Sequence, residues 1–190
     1  GGWVDSYLCS FGGLRCVDLR GKQAAFAPPG EPFATVEDLA PFVPTLPFVL
    51  GFTGVAPHSG SVHAPIRARW EQGDPAVVRG YERVAAIARE GKTALLRGDW
   101  TRLGVLMNEN HAIQRDFGGS GEPNEKLIAA ALGAGARGAK LAGAGGGGTI
   151  VALWPHADAA PLERALRGAG ASEIYRPAPV AGVTIHVEED

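Results

Sequence analysis

The hydrophobic positions of the chain change period along its length, and the longest regular stretch predicts helices. From Trp70 onwards the apolar positions change to a helical period and fall on one face, in the second case roughly, of each of two predicted amphipathic helices. Asp99 is a suitable N-cap for the second helix. A third helix is predicted over "PNEKLIAAALGAGA", because Pro123 suits its first turn and the later glycines suit its end. The core-facing stripes are Val77, Tyr81, Val84 and Ala88 in the first helix, and Trp100, Leu103, Met107 and Ile113 in the second.

Shorter apolar runs on either side of these helices predict strands. "LRCVDLRG" alternates as a strand does, and "FVLGFTG" (48–54) has the pattern of a buried strand. "TIVALW" predicts another strand, and "GVTIHV" (182–187) predicts the last. Antiparallel strands interleaved with helices predict an α+β layer rather than a doubly wound sheet.

Two short helices and one irregular connection complete the pattern. Residues 3–10 are compatible with a helix closed by Gly12 and Gly13, and an amphipathic helix is predicted near 158–168. Six prolines lie between positions 28 and 47. Such a density excludes a long helix there and indicates a connection between two structural units.

Composition narrows the class of protein. The 190 residues are 45% hydrophobic and 20% charged, which predicts a globular chain with a real core. The formal net charge of −2 gives no basic footprint for nucleic acid or for a membrane surface. The sequence contains neither a membrane-spanning apolar run nor a secretory signal pattern, so we expect a cytoplasmic protein. Cys9 and Cys16 lack CxxC spacing and are expected to be reduced thiols.

The stretch "GAKLAGAGGGGTIVALW" (138–154) has two interpretations. On composition alone it is a flexible linker. However, it joins a predicted helix to a predicted strand within a few residues, which leaves little room for a tether. Adjacent glycines allow positive φ and let backbone N–H groups converge on an anion, of which phosphate is the usual example.

Two familiar phosphate motifs do not fit the chain. Gly143, Gly145 and Gly148 satisfy GxGxxG, but that fingerprint follows a strand and opens a helix, whereas the predicted order here is the reverse. "AIAREGKT" (86–93) ends like a Walker A loop, yet Ala86 stands where the motif needs glycine. It also lies inside a helical pattern.

The glycine stretch resembles the third conserved motif of the GHMP kinases (galactokinase, homoserine kinase, mevalonate kinase and phosphomevalonate kinase). "KLAGAGGGGTIVAL", preceded by "GARGAK", matches that motif along its length. "VDSYLCSFGG" is similar to a segment of the sugar-kinase-like members in which an Asp, a Tyr and a Gly-Gly pair follow one another. The family often has Gln before that Asp, where this chain has Val4. "GFTGVAPHSGSVHAPIR" and "LGVLMNENH" also resemble heptose- or galactose-kinase-like relatives.

The resemblance implies a fold and a domain division. It implies a ferredoxin-like GHMP kinase C-terminal domain over 45–190, and it makes 1–44 the tail of the N-terminal kinase domain with its catalytic-Asp helix and linker. The Gly-Leu-Gly-Ser-Ser-Ala type loop that wraps the ATP phosphates in these kinases has no match in the sequence. We therefore expect a missing N-terminal kinase domain. We also expect that these 190 residues alone neither bind ATP tightly nor turn it over.

The resemblance also implies the chemistry. ATP and Mg²⁺ would be the cofactors, and Asp5 would be the catalytic carboxylate that orients or deprotonates the attacking hydroxyl. Tyr7, Ser59 and His63 are candidate substrate contacts. Tyr7 equally suits packing, whereas the sequence around Ser59 and His63 favours a solvated turn. The phosphate-binding backbone would come from Gly143, Ala144, Gly145, Gly146, Gly147 and Gly148.

Other polar residues have simpler interpretations. Taken alone, Asp5 is a surface or capping carboxylate, and only its neighbours make it a candidate. Lys140 could meet a phosphate or act as a cation at the end of its helix. The five histidines lack metal-site spacing such as HExxH, so no transition-metal site is assigned; they are His58, His63, His111, His156 and His186.

The sequence therefore predicts an ATP-dependent small-molecule kinase, with a sugar or sugar phosphate as substrate and no nucleic-acid or membrane partner. Mevalonate is the alternative substrate. A protein of a different class, a binding module that senses a phosphorylated metabolite without catalysis, is the alternative function. The face that the missing domain would cover also offers a surface for a homodimer.

Overall fold

A computed structural model describes residues 3–20, 34–43, 45–56 and 59–184. The chain divides into two compact units, one drawn from Gly1–Thr45 and Ala178–Asp190 and the other from Leu46–Pro177. Among the described residues, no helix is both long enough and apolar enough to span a membrane.

The first unit contains the predicted N-terminal helix and a two-stranded sheet. Helix α1 (Trp3–Phe11) ends where Gly12 and Gly13 take positive φ angles of 58° and 69°, which confirms both the helix and its end. Strand β1 (Arg15–Asp18) was also predicted, and it pairs antiparallel with β2 (Thr35–Asp38). A 3₁₀ turn over Ala40–Phe42 follows.

The strand predicted at 182–187 is wrong for residues 182–184, and residues 185–187 lie outside the described part of the chain. The segment is held instead by the end of α1. The Val183 amide donates to the Cys9 carbonyl at 3.0 Å, and the Gly13 amide donates to Val180 at 2.6 Å. A Cβ on Gly182 would lie 2.2 Å from the Ser10 carbonyl oxygen. The backbone at Gly182 therefore lies directly against the end of α1, where the prediction had placed it in a sheet.

The second unit is a four-stranded antiparallel sheet with helices on both faces. Its strand order β4-β5-β3-β6 and its β-α-β-β-α-β connectivity are those of a ferredoxin-like fold, with four helices in the first connection. The predicted α+β, ferredoxin-like class is confirmed. The elements are β3 (Phe48–Phe52), α2 (Ser59–Glu71), α3 (Pro75–Leu96), α4 (Trp100–Asp116), α5 (Glu122–Gly133), β4 (Gly138–Ala142), β5 (Thr149–Leu153), α6 (Ala160–Gly168) and β6 (Glu173–Tyr175).

Alternate residues of the strands contribute to two hydrophobic cores, one on each face of the sheet. One face packs against α5 and α6, where Leu127, Leu162 and Leu166 are almost wholly buried. The other face packs against α3 and α4 through Leu153 and Met107. The period-two alternation of each strand thus divides its apolar residues between helices on opposite sides.

The helix ends follow the sequence signals. Asp99 caps α4 as predicted, since its carboxylate accepts the Arg102 amide at 2.9 Å. Asp74 caps α3 in the same way through the Ala76 amide. Pro123 lies in the first turn of α5, as predicted.

Three elements of the second unit were not predicted. Strand β4 consists mostly of small residues without the β-branched and aromatic signal of a strand, and it forms because β5 pairs with it. Helix α2 replaces the solvated turn expected around Ser59 and His63, despite Pro65 in its interior. Its Ile66 is 3% exposed in a cluster with α3 and α4 residues, which stabilises a helix of poor propensity. The third is β6, only three residues long.

Helix α4 runs along β4, which is an outer strand of the sheet. The Asn108 side chain accepts a hydrogen bond from the Ala139 amide at 2.9 Å and donates to the Arg137 carbonyl at 3.4 Å. The outer edge of β4 is therefore partly satisfied by a side chain instead of another strand.

Candidate functional site

The glycine loop, residues 143–148, joins β4 to β5 and so forms the end of a β-hairpin. The predicted order of helix, loop and strand is wrong, because β4 precedes the loop. All five glycines of the loop have positive φ, between 73° and 135°, whereas Ala144 does not. This backbone is open to glycine and costly for other residues. The loop sequence is therefore required by its conformation.

The loop amides divide into two groups. The Gly147 amide donates to Asn124 at 2.8 Å and the Gly148 amide donates to the Val55 carbonyl at 2.7 Å. Within the described residues, the four preceding amides, from Gly143 to Gly146, donate to no protein acceptor. Alternating signs of φ over Gly143, Ala144 and Gly145 are typical of a nest, in which successive N–H groups converge on one anion.

Close contacts exclude side chains from two positions of the loop. A Cβ on Gly145 would lie 1.6 Å from the carbonyl oxygen of Gly119, in the connection between α4 and α5. A Cβ on Gly147 would lie 2.6 Å from the Val55 carbonyl oxygen, just after β3. The loop is thus packed between two neighbouring segments, which is not how a flexible linker behaves.

Asn124 is the site residue that the sequence analysis missed. It lies in the first turn of α5, is 0% exposed, and bonds both the amide and the carbonyl of Gly147. A polar residue in a first helical turn ordinarily faces solvent, so the burial of Asn124 is not visible in the sequence. Asn124 and Gly147 are 23 residues apart, so no local pattern could have paired them.

Lys140 lies on β4 and does not lie at the end of a helix, so the predicted interaction with a helix terminus is wrong. Its ammonium group donates to the Leu141 carbonyl at 2.7 Å. Burial lowers the pKa of this amine below its ordinary value, because the charged form loses hydration. Among the described residues, this ammonium group makes no hydrogen bond to the glycine loop.

The first unit holds the other candidate catalytic group. Asp5 is an exposed carboxylate in the first turn of α1. The Tyr7 ring stacks on the Phe11 ring with 6.3 Å between centroids and 7° between planes. Packing was one of the two roles expected for Tyr7, and this stacking is a contact of that kind. The catalytic role of Asp5 stays a prediction.

The second group of candidate substrate contacts lies on α2. Ser59 is the first residue of that helix, and His63 is exposed one turn later. Between them, Val62 approaches the loop, since its Cγ2 would lie 3.6 Å from a Cβ on Gly146. The structure therefore brings the start of α2 next to the glycine loop. His58 and His186 lie outside the described residues.

A pocket of about 330 Å³ opens where β3 ends and α5 begins. Thr53, Val55 and Lys126 are among its lining residues. Two of the segments that line the pocket also bind the glycine loop. Val55 accepts from the Gly148 amide, and α5 carries Asn124, which bonds Gly147. The pocket carries one cationic side chain, Lys126, and one carboxylate, Glu122, and none of the loop residues lines it.

A second polar cluster lies between α4 and α5. His111 is 5% exposed, and its Nε2 lies 3.0 Å from Glu125 Oε1 without hydrogen-bond geometry. Burial lowers the pKa of His111, an effect that the nearby Glu125 opposes. In the described part of the chain, no three His, Cys, Asp or Glu side chains are grouped to hold a metal ion.

Comparisons with known proteins agree with this geometry. Residues 92–172 match the family model described as GHMP kinases C terminal. The chain is 37% identical over 116 residues to a mevalonate kinase of Pyrococcus furiosus, covering 58% of this chain and 35% of that protein. It is 38% identical over 91 residues to probable glucuronokinase 2 of Arabidopsis thaliana, covering 46% of this chain and 25% of the relative.

A solved structure extends the likeness to the fold. The crystal structure of L. major mevalonate kinase in complex with R-mevalonate superimposes with a TM-score of 0.66 and 27% identity. The match covers 78% of this chain and 47% of that one. The chain thus spans between a quarter and a half of the length of these relatives. Family model, sequence relatives and fold agree that the chain contains a GHMP kinase C-terminal domain, which the family model places at residues 92–172.

Proposed function

We propose that the chain is the C-terminal part of an ATP-dependent kinase that transfers the γ-phosphoryl group to a hydroxyl of a small metabolite. One observation carries the proposal: four amides of the glycine loop, from Gly143 to Gly146, have no protein acceptor among the described residues. They lie within the segment that matches the family model. A nest of this kind suits phosphate oxygens.

The loop would contribute by electrostatics and position. In phosphoryl transfer, negative charge spreads over the oxygens of the transferred group, and fixed donors stabilise it. The amides of Gly143–Gly146 are such donors, since the rest of the loop is held by Asn124 and Val55. Donors that are already placed need no reorganisation when the charge develops.

Asp5 would act on the other reactant. As a carboxylate on the first turn of α1, it would accept the proton of the attacking hydroxyl or orient that group. Mg²⁺ is the usual companion of ATP, but the described residues form no cluster that suits a dedicated magnesium site. We therefore assign no protein ligand to it. Phosphate oxygens and water are its common ligands in kinases.

Two substrate classes follow from the relatives. A glucuronokinase supports a sugar or sugar phosphate, which is the class that the sequence motifs favoured. Mevalonate kinases support mevalonate to the same extent. Both kinds of molecule offer a hydroxyl to a phosphoryl donor, so the reaction class is the same for either.

The test is a phosphoryl-transfer screen on the protein as its own cells make it. ADP release would be measured with Mg²⁺ and ATP against galactose, glucuronate and mevalonate, beside the 190-residue chain alone. We expect turnover with one substrate class in the former and none in the latter. Absence of turnover with saturable binding of phosphorylated metabolites would favour the sensor instead.

Asp5→Asn separates the two functions in the same assay. A kinase should lose turnover by roughly 100- to 10,000-fold, the size of a general-base contribution, while its ligand affinity stays the same. A sensor should be unaffected. Asp116→Asn, which removes another exposed helical carboxylate, is the matched control. Equal turnover of the parent and Asp5→Asn would exclude Asp5 as the catalytic group.

A further inference from the structure

Asn124 connects the first turn of α5 to the glycine loop by two hydrogen bonds. Its Oδ1 accepts from the Gly147 amide at 2.8 Å, and its Nδ2 donates to the Gly147 carbonyl at 2.9 Å. Since Gly147 offers one donor and one acceptor, only this orientation of the amide satisfies both. The side chain is 0% exposed, so water does not compete for these bonds.

This contact matters because it restrains Gly147 by two hydrogen bonds, whereas the amides that precede it have no protein acceptor among the described residues. Glycine loses more conformational freedom on ordering than any other residue, and five of the six loop residues are glycine. Asn124 fixes Gly147 and the Val55 carbonyl fixes Gly148, so the end of the loop is tied to both α5 and the exit of β3. The conformation of the preceding amides depends on that anchor.

We propose that Asn124 is the positioning residue of the phosphate-binding loop. It makes no contact with phosphate, and it acts by holding Gly147 so that the amides of Gly143–Gly146 converge on one anion. The proposal rests on the proposed function of the loop. Because Asn124 belongs to the first turn of α5, the position of that turn is transmitted directly to the loop.

Asn124→Leu keeps a side chain of similar size and removes both bonds. In the full-length kinase we expect the KM for ATP to rise about tenfold and kcat to fall by up to roughly 100-fold, as misplacement of a binding group does. The KM for the hydroxyl substrate should not change. A residue with a merely structural role would reduce the amount of folded protein and leave these constants alone.

Asn108→Leu is the matched control. Asn108 also bonds a backbone amide and carbonyl, those of Ala139 and Arg137, but at the end of β4 away from the glycine loop. We expect Asn108→Leu to lose about as much stability as Asn124→Leu does, without a change in the KM for ATP. An equal rise in that KM in both variants would overturn the proposal.

Asn124→Asp adds a pH readout. When ionised, the introduced carboxylate still accepts from the Gly147 amide but repels the Gly147 carbonyl. When protonated, it has one donor and one acceptor, as Asn does. In the 190-residue chain, binding of inorganic tripolyphosphate, followed by the amide resonances of residues 143–148, should recover as the pH falls from about 8 to about 5. The parent and Asn124→Leu should show no such recovery.

The outcomes distinguish this inference from the proposed function. If the loop resonances shift in Asn124→Leu and recover with pH in Asn124→Asp, while the parent transfers no phosphoryl group, then the positioning role stands and the kinase assignment fails. If the loop resonances of both variants match those of the parent, then Asn124 does not position the loop. Unchanged ATP kinetics in a folded Asn124→Leu would overturn the proposal in the same way.

Discussion

Gly104 of α4 and Gly138 of β4 lie backbone against backbone. A Cβ on Gly138 would be 2.6 Å from the Gly104 carbonyl oxygen, and a Cβ on Gly104 would be 2.3 Å from the carbonyl oxygen of Arg137. Neither glycine has a positive φ, so the reason for glycine is proximity. The close approach brings α4 near enough to β4 for Asn108 to reach the edge of that strand.

Gly138→Ala should therefore force the helix and the strand apart. We expect a loss of about 1–3 kcal/mol in the free energy of unfolding, the usual cost of overpacking, measured by urea denaturation. Gly133→Ala, at the end of α5, is the control, since a Cβ there meets nothing within 4 Å. It should be neutral or stabilise by up to about 1 kcal/mol. Similar losses in both variants would contradict the proximity argument.

Two glycines of the loop allow strain and crowding to be separated. Gly143 and Gly145 have nearly the same φ, 93° and 88°, but only Gly145 has a neighbour, the Gly119 carbonyl, within contact distance. Alanine at either position should cost about 1–2 kcal/mol for the left-handed backbone. Gly145→Ala must also move the loop away from Gly119. We therefore expect this variant to bind inorganic tripolyphosphate about tenfold more weakly than Gly143→Ala does, a difference of about 1.4 kcal/mol. Equal affinities of the two variants, measured by NMR titration, would show that the Gly119 contact is unimportant for anion binding.

The pKa of His111 predicts a pH dependence of stability. Burial lowers this pKa in the folded chain, while Arg115 and Lys140 add to the effect and Glu125 opposes it. Between the folded pKa and about 6.5, the unfolded chain binds more protons, so stability rises with pH through that window. The contribution is fully present above about pH 6.5 and is lost as the pH falls through the folded pKa.

Urea titrations between about pH 5 and pH 7.5 test this sign. His111→Gln should flatten the dependence. His63→Gln, at an exposed histidine of α2, should leave the dependence unchanged. A stability that increases on acidification in the parent, or a His111→Gln variant with the parent's slope, would contradict the prediction.

Lys140→Met tests whether the buried amine serves the nest. Burial lowers the pKa of Lys140, so its charged form is disfavoured in the folded state and folding becomes more favourable as the pH rises towards about 10.4. At neutral pH we expect Lys140→Met to be as stable as the parent or more stable, by thermal unfolding. Tripolyphosphate affinity should be unchanged, because the ammonium bonds the Leu141 carbonyl. A clear loss of affinity would restore Lys140 as a phosphate ligand.

Helices α3, α4, α5 and α6 of the second unit were predictable from the sequence because their signals are local, whereas α2 was not predicted. Asp99 caps α4 and Pro123 lies in the first turn of α5, as the sequence indicated. The buried face of α3 was predicted less well: Val77 is buried, whereas Tyr81 and Ala88 of the same predicted stripe are exposed. The spacing of the apolar residues predicts that α3 is a helix, but which of its faces is buried depends on the neighbouring elements.

The composition of the glycine loop was predictable, and its geometry was not. Which amides have acceptors depends on Asn124, Val55 and the pairing of β4 with β5. These contacts join residues far apart in the sequence, and small residues such as those of β4 carry little strand propensity. The strand predicted at 182–187 is wrong over residues 182–184 for a related reason, because the end of α1 holds that segment.

The Asn108 contact has a consequence for association between copies of the chain. An unpaired outer strand presents free amides and carbonyls to which a strand of a second molecule can hydrogen-bond. Such pairing is a common first step of aggregation. On β4, the Ala139 amide is occupied and α4 lies alongside, while β6 at the opposite side is only three residues long. Neither border of the four-stranded sheet offers a long, bare template for continuous growth into a fibre.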